Sequence, residues 1–176
     1  MKEIPSCDFL AILRILREHE VEFVVVGGVA AVLQGVPLTT FDLDVVHKRD
    51  RANVARLEKA LESLEAYYRA PVRGRRRPET SHLLSAGHQL LMTRYGPLDL
   101  LGQVGKGRRY EDLQPDSICT QVGEGVEVHV LNLAALTRIK EETAAEKDLA
   151  VLPLLRRTLK EQASRASRPD RKPEDA

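Results

Sequence analysis

The sequence predicts a single α+β domain in which a mixed, mainly antiparallel β-sheet is flanked by helices and followed by C-terminal helices. Two observations carry this. Short β-branched and apolar runs such as Phe23 to Val26, Gln89 to Tyr95 and Val126 to Val130 adjoin glycine-containing turns, as strands of hairpins do. Between and after them run longer stretches with apolar residues three and four apart, the period of a helix packed on one side. The 176 residues suffice for one domain with a real core rather than two. The expected domain spans residues 1–163, with a core at about 21–155 and an N-terminal helix at about 6–19.

Taken in order, Ser6 or Asp8 is placed to cap a first helix whose stripe is Phe9, Leu10, Ile12, Leu13 and Leu16. Phe23 to Val26 is too short for a helix and stops at Gly27-Gly28; Val29 to Leu33 then has the content of a short helix, ended by Gly35 and Pro37. From Phe41 to Val46 a period of two sends Phe41, Leu43 and Val45 to one face and Asp42, Asp44 and Val46 to the other. Arg51 to Leu64 is amphipathic, with Val54, Leu57, Leu61 and Leu64 on its stripe. Arg69 to Glu79 breaks all periodicity, so Arg73, Arg75, Arg76 and Arg77, set among Pro71, Gly74 and Pro78, belong to an exposed loop.

His82 to Ser85 and Gln89 to Tyr95 read as strands about a turn at Gly87, and Gly96-Pro97 turns into a short strand, Leu98 to Leu101, that carries Asp99 among apolar neighbours. Arg108 to Leu113 offers one helical turn, and Ile118 to Val122 with Val126 to Val130 makes a hairpin around Gly123 to Gly125. Asn132 caps a helix through about Glu142, and a second helical run ends near Gln162. Residues 164–176 contain no apolar residue beyond alanine and are expected to form a disordered tail.

Composition excludes several function classes. With 27 Lys and Arg against 26 Asp and Glu the net charge is +1, so no global field draws in nucleic acid or an acidic membrane. Cys7 and Cys119 have no CxxC spacing and fit a reducing cytosol. No apolar run approaches the ~20 residues of a membrane span, and MKEIPSCDFL lacks the apolar segment of a signal peptide, so a cytoplasmic protein is expected. Serine hydrolase, zincin and zinc-ribbon patterns are missing, and GQVGKG lacks the spacing of a P-loop.

The chemistry concentrates in Val24 to Val46. Asp42 and Asp44, two apart on a strand, project to one face, where they repel unless a cation lies between them; hard oxygen ligands of this kind suit Mg²⁺ shared with substrate phosphates. An exposed edge with two solvated acids fits the same pattern. Gly27-Gly28 lies where strand gives way to helix, leaving bare backbone amides for an anion, although a plain tight turn would look alike. Cation and anion sites at one mouth match a nucleoside triphosphate with its Mg²⁺. Thr40 offers a hydroxyl just before the acids, His47 follows them closely, and the Arg73 to Arg77 cluster is either a solvated loop or a contact for RNA or another polyanion.

The string GGxAxxxxGxPxxTxDxDxV, from Gly27 to Val46, resembles the signature of the polymerase-β-like nucleotidyltransferase superfamily, specifically its small bacterial branch of minimal, antibiotic-modifying and abortive-infection toxin-like members. The similarity continues through RYGPLDLLG, RRYEDL, VHVLNLAALTRIK and KDL at Lys147 to Leu149, covering about Val21 to Leu155. The resemblance implies a nucleotidyltransferase fold, two Mg²⁺ ions (or Mn²⁺) on Asp42, Asp44 and Asp99, a proton-accepting role for Asp99, and nucleotide contacts from Gly27, Gly28, Thr40, Lys140 and Asp148. It further implies transfer of a nucleoside monophosphate, from ATP or another triphosphate, to a hydroxyl of a protein, a tRNA or a small molecule. An antitoxin partner or a homo-oligomer is in keeping with the branch.

Two departures stand out. Ala145 replaces an arginine that relatives carry before the KD pair, and Val29 follows the double glycine where many have serine. They keep open an alternative: a catalytically weak or inactive nucleotide-binding module, antitoxin-like, of the same fold.

Overall fold

The computed structural model describes residues 7–69, 74–143 and 146–167, excluding the side chains of 146–148. In chain order the elements are α1 (Phe9–Glu18), β1 (Phe23–Val26), α2 (Gly27–Leu33), β2 (Leu43–His47), α3 (Arg51–Ser63), β3 (Tyr67–Tyr68), α4 (Thr80–Leu84) and β4 (His88–Thr93). They continue with β5 (Gly96–Leu101), α5 (Tyr110–Leu113), a 3₁₀ turn (Gln114–Asp116), β6 (Ser117–Gly123), β7 (Val126–Leu131), α6 (Leu133–Thr143) and α7 (Glu146–Ala166).

Local chemistry sets most boundaries. The Asp8 carboxylate accepts from the Ala11 amide at 2.9 Å and opens α1, Asp50 does the same for Asn53 at 2.7 Å in α3, and Asn132 accepts from Ala135 at 2.8 Å in α6. The strands lie in the order β3-β4-β5-β2-β1-β7-β6. Hairpin neighbours β4/β5 and β6/β7 pair antiparallel, as do β3/β4 and β1/β2, whereas β2/β5 and β1/β7 are parallel. The sheet is thus mixed and mainly antiparallel, and the parallel pairs are the ones made across long connections. Leu43, Val45, Leu98, Leu100, Val24 and Val130 are fully buried or within 1% of it, so the central strands hold the core.

Asn53 ties the entry to β1 and the exit of β2 onto α3. Its Oδ1 accepts from the Glu22 amide at 2.7 Å, and its Nδ2 donates to the carbonyls of Glu22 (2.9 Å) and Lys48 (2.8 Å). The residue is completely buried, so no water can stand in for it.

Three expectations change. His82 to Ser85 forms helix α4 rather than a strand: the Glu79 carbonyl accepts from the amides of His82 and Leu83, Leu83 is fully buried, and α4 lies against α3. Docking on a neighbour overrides a run too short to have a clear period. Phe41 stands outside β2 and is 74% exposed, so the predicted alternation begins only at Leu43. Helix α7 runs on to Ala166, making helical the first residues of the expected tail, whose remainder from residue 168 lies outside the described residues, as does Ser6. The edge strand Tyr67–Tyr68 lacks any local sequence signal beyond two aromatics.

His47 is a core residue. It is 2% exposed, its Nε2–H donates to the Leu83 carbonyl at 2.8 Å, and its Nδ1 is buried without a partner. Burial pushes its pKa down, the Leu83 carbonyl opposing and Arg49 adding to the shift.

Asn53→Ala strands the Glu22 amide and the Lys48 carbonyl, and should lower unfolding free energy by about 3 kcal/mol in urea titration. For His47 the folded state prefers the neutral ring, so its contribution is complete above the ordinary histidine value of about 6.5 and is lost as pH falls from there through the lower folded value. Stability measured across that window should fall less steeply in His47→Gln, which keeps a donor for Leu83 and removes the titration; identical slopes would exclude His47 as the cause.

Candidate active site

The site is assembled along one row across the sheet. Asp44 of β2 is paired with Asp99 of β5, Asp99 with Leu90 of β4, and Asp44 with Val26 at the end of β1. Directly opposite residues in paired strands share a face, and neighbouring strands lie about 4.8 Å apart. The register therefore sets Asp44 and Asp99 side by side. Asp42, in the loop before β2, completes the group: one ligand oxygen from each of the three carboxylates lies within 4.8 Å of the others. Asp99 is the most buried of them, at 6% exposure.

Arg69 closes the row at its outer end. Its amide donates to the Leu90 carbonyl at 3.0 Å, and its guanidinium reaches past Leu90 to Asp99, Nη2 to Oδ1 at 2.5 Å. Burial raises the pKa of Asp99, the Arg69 charge and hydrogen bond pull it back, and the Asp42 charge pushes it further up.

The two glycines are required by these acids. Gly27 has φ +66°, and a Cβ there would overlap the Asp44 carboxylate. A Cβ on Gly28 would lie 2.5 Å from Thr40 Oγ1 and 2.7 Å from Thr40 Cβ. Their missing side chains let β1's end and the acid loop close on each other, which is a tighter demand than a turn alone makes. Thr40 in turn donates from Oγ1 to the Asp42 carbonyl at 3.2 Å and braces the acid loop.

Two clefts meet here. One of about 590 Å³ is lined by Asp42, Asp44, Asp99, Arg69, His88 and Leu90, with Val104, Gly105 and α6 opposite. The other, of about 360 Å³, is lined by Gly27, Gly28, Thr39, Thr40, Phe41 and Val151. Gly27, Asp42 and Lys140 line both. Each volume lies in the range of small-molecule sites. Arg108 secures the far wall by a two-pronged contact to Glu142 of α6 (2.6 and 2.9 Å), which anchors the glycine loop holding Val104 and Gly105.

Of the residues singled out from sequence, Gly27, Gly28, Thr40, Asp42, Asp44, Asp99 and Lys140 therefore converge. The side chain of Asp148, and the whole of Arg73 and Ala145, lie outside the described residues. Arg75, Arg76 and Arg77 engage local partners: Arg75 lies 4.7 Å over the Tyr67 ring, Arg76 reaches Glu79 at 3.7 Å and Arg77 reaches Glu62 at 3.5 Å. His47 does not join the site, because an odd separation of three residues from Asp44 turns it to the other face of β2. Arg69, His88 and the glycine loop lacked any site signal in the sequence; their roles follow from strand pairing over long separations.

No protein-family model matches the sequence, and no curated protein matches it significantly. Among solved structures, the solution structure of the antibiotic-resistance factor ANT(2'')-Ia is similar with a TM-score of 0.55 and 16% identity, covering 90% of this chain and 85% of that one. The crystal structure of ANT(2'')-Ia in complex with adenylyl-2''-tobramycin gives a TM-score of 0.55 and 14% identity over 90% of this chain and 91% of that one. A Thermotoga maritima protein classed as a nucleotidyltransferase gives 0.49 and 20% over 90% and 88%. The chain has the α+β fold of nucleotidyltransferases. No helix among the described residues is long and apolar enough to cross a membrane.

Gly27→Ala should displace the Asp44 carboxylate and weaken Mn²⁺ binding at least about tenfold, read by calorimetry on the nucleotide-free protein. Undiminished Mn²⁺ affinity in a folded Gly27→Ala protein would show that Asp44 does not depend on that vacancy.

Proposed function

We propose that the protein is a Mg²⁺-dependent nucleotidyltransferase that moves a nucleoside monophosphate from a nucleoside triphosphate to a hydroxyl, releasing pyrophosphate. The observation that carries this reading is the convergence of Asp42, Asp44 and Asp99, with ligand oxygens within 4.8 Å of one another, beside Gly27 and Lys140. Three hard carboxylate oxygens fit Mg²⁺ or Mn²⁺ and would hold two such ions. When bound, the ions neutralise the triphosphate and the departing pyrophosphate.

The chain's own residues supply the rest. Gly27 lines both clefts and Gly28 one of them, where their amides would meet phosphate oxygens, and Lys140, lining both clefts, adds a point charge for them. Asp148, in α7, is proposed as a further nucleotide contact. Asp99 accepts the proton of the acceptor hydroxyl as that oxygen attacks the α-phosphorus. The new O–P bond forms, the bond from the α-phosphorus to the oxygen bridging it to the β-phosphate breaks, and that electron pair leaves with pyrophosphate.

The acceptor in this reading is a hydroxyl of a small molecule, a tRNA or a protein. The presence of adenylyl-2''-tobramycin with ANT(2'')-Ia supports the first; the second would use the exposed segment of Arg75, Arg76 and Arg77 as a polyanion contact, in exchange for their local partners Tyr67, Glu79 and Glu62. The resemblance to toxin-like nucleotidyltransferases extends the reading to a cytoplasmic toxin restrained by an antitoxin partner, or to a homo-oligomer, tested by co-purification of a partner or a second copy.

Incubation with each labelled triphosphate, Mg²⁺ and a cell extract should label an acceptor. Asp42→Ala should reduce labelling by about two orders of magnitude or more, since metal stabilisation is worth several kcal/mol. Labelling by Asp42→Ala at the wild-type rate would overturn the assignment.

A further inference from the structure

A guanidinium stands on a carboxylate that the nucleotidyltransferase reading gives to metal. The Arg69 Nη2 contact to Asp99 Oδ1 is a direct ion pair with the Asp99 side chain 8% exposed, and both residues line the cleft that Asp42 and Asp44 also line. With its carboxylate side buried, such a pair is screened less than one between two exposed side chains. A metal ion on the same carboxylate would stand close to that guanidinium, and the two positive charges repel, so the pair competes with metal for Asp99. The anchoring of Arg69 is nonetheless one-sided. Its backbone is fixed by the bond to Leu90, whereas its side chain is 27% exposed and faces open cleft. A planar fork of donors also matches phosphate oxygens as well as it matches a carboxylate.

We propose that Arg69 serves as an exchangeable counter-cation: it holds Asp99 in the acid group when nucleotide is absent, and yields Asp99 to the metal as it turns toward the phosphates of the incoming triphosphate. The inference rests on the nucleotidyltransferase reading, and it goes beyond that reading by making metal entry a competition within the chain. Two consequences separate it from a structural role for Arg69. Without nucleotide, removing the guanidinium frees a ligand oxygen and tightens metal binding. During turnover, the same change lowers kcat, because the phosphates lose a partner.

The test is Mn²⁺ titration of the nucleotide-free full chain, with unbound ion followed by electron paramagnetic resonance. Arg69→Ala and Arg69→Gln should bind Mn²⁺ about three- to tenfold more tightly than the wild type, as expected for removing one nearby positive charge. Arg69→Lys should fall between, Arg77→Ala should bind as the wild type does, and Asp99→Asn should bind more weakly. In transfer assays Arg69→Ala should reach half-maximal rate at a lower Mg²⁺ concentration while kcat drops. Thermal unfolding checks each variant, and Arg69→Gln with Arg69→Lys decides the matter if Arg69→Ala does not fold. Unchanged or weaker Mn²⁺ binding in the Arg69 variants overturns the exchange and leaves Asp42-dependent labelling intact. If neither the wild type nor the folded Arg69 variants bind Mn²⁺, and no triphosphate supports labelling, both the exchange and the nucleotidyltransferase reading are overturned.

Discussion

Everything at the site depends on the parallel pairing of β2 with β5. That register opposes Asp44 to Asp99, and two like charges facing each other across a ladder cost up to about 1 kcal/mol. The same register, however, opposes Leu43 to Leu98 and Val45 to Leu100, whose side chains fill the other face and are fully or almost fully buried. Burying each of those four contributes about 1.5–3 kcal/mol, so the apolar face decides the register and the acids are carried with it. A one-residue slip would exchange the two faces, burying the carboxylates and exposing the leucines. The repulsion is thus sustained by the core, and the face that bears it acquires a standing demand for positive charge.

The three acids meet that demand from unequal supports. Asp44 and Asp99 stand on adjacent central strands of the seven-stranded sheet, whereas Asp42 sits in a loop that depends on the Thr40 hydroxyl and on the space left at Gly28. The glycines consequently act on the geometry twice over: Gly27 leaves room for the Asp44 carboxylate and Gly28 leaves room for Thr40. Any phosphate contact they make is additional to that fit. Lys140 joins the same point from a helix whose position is secured by the Arg108–Glu142 pair, so each cleft has a wall held independently of the acids.

Locally encoded features were the ones legible in the sequence. Capping by Asp8 and Asn132, the hairpin of β6 and β7, and the glycine turn followed by two acids all follow from residues within a few positions of one another. Asp99 was visible as an acid in an apolar strand, but its meeting with Asp44 spans 55 positions by the numbering and came only through the family resemblance. Arg69 has no local signal for a stronger reason: it directly follows a two-residue strand that lies two strands from that of Asp99, at the margin of a segment with no periodicity. His82 to Ser85, a strand by its sequence, lies mostly in helix Thr80–Leu84 because so short a run cannot distinguish the two periods, and tertiary contact with α3 decides it. His47 is the opposite case, since period-two alternation alone already turns it away from Asp44.

The sheet also distributes stability in a way that bears on charge control. Central strands paired along both edges open only with the whole fold, while a short edge strand opens at smaller cost. Asp44 and Asp99 occupy the first kind of position and Arg69 the margin of the second, where β3 pairs with β4 through only Tyr67 and Tyr68. The negative charges are consequently fixed to central strands, and the guanidinium opposing them reaches in from the sheet's edge on a long side chain. A cation attached to a central strand would neutralise the acids permanently and bar a metal; one attached at the edge neutralises them until something with more charge arrives.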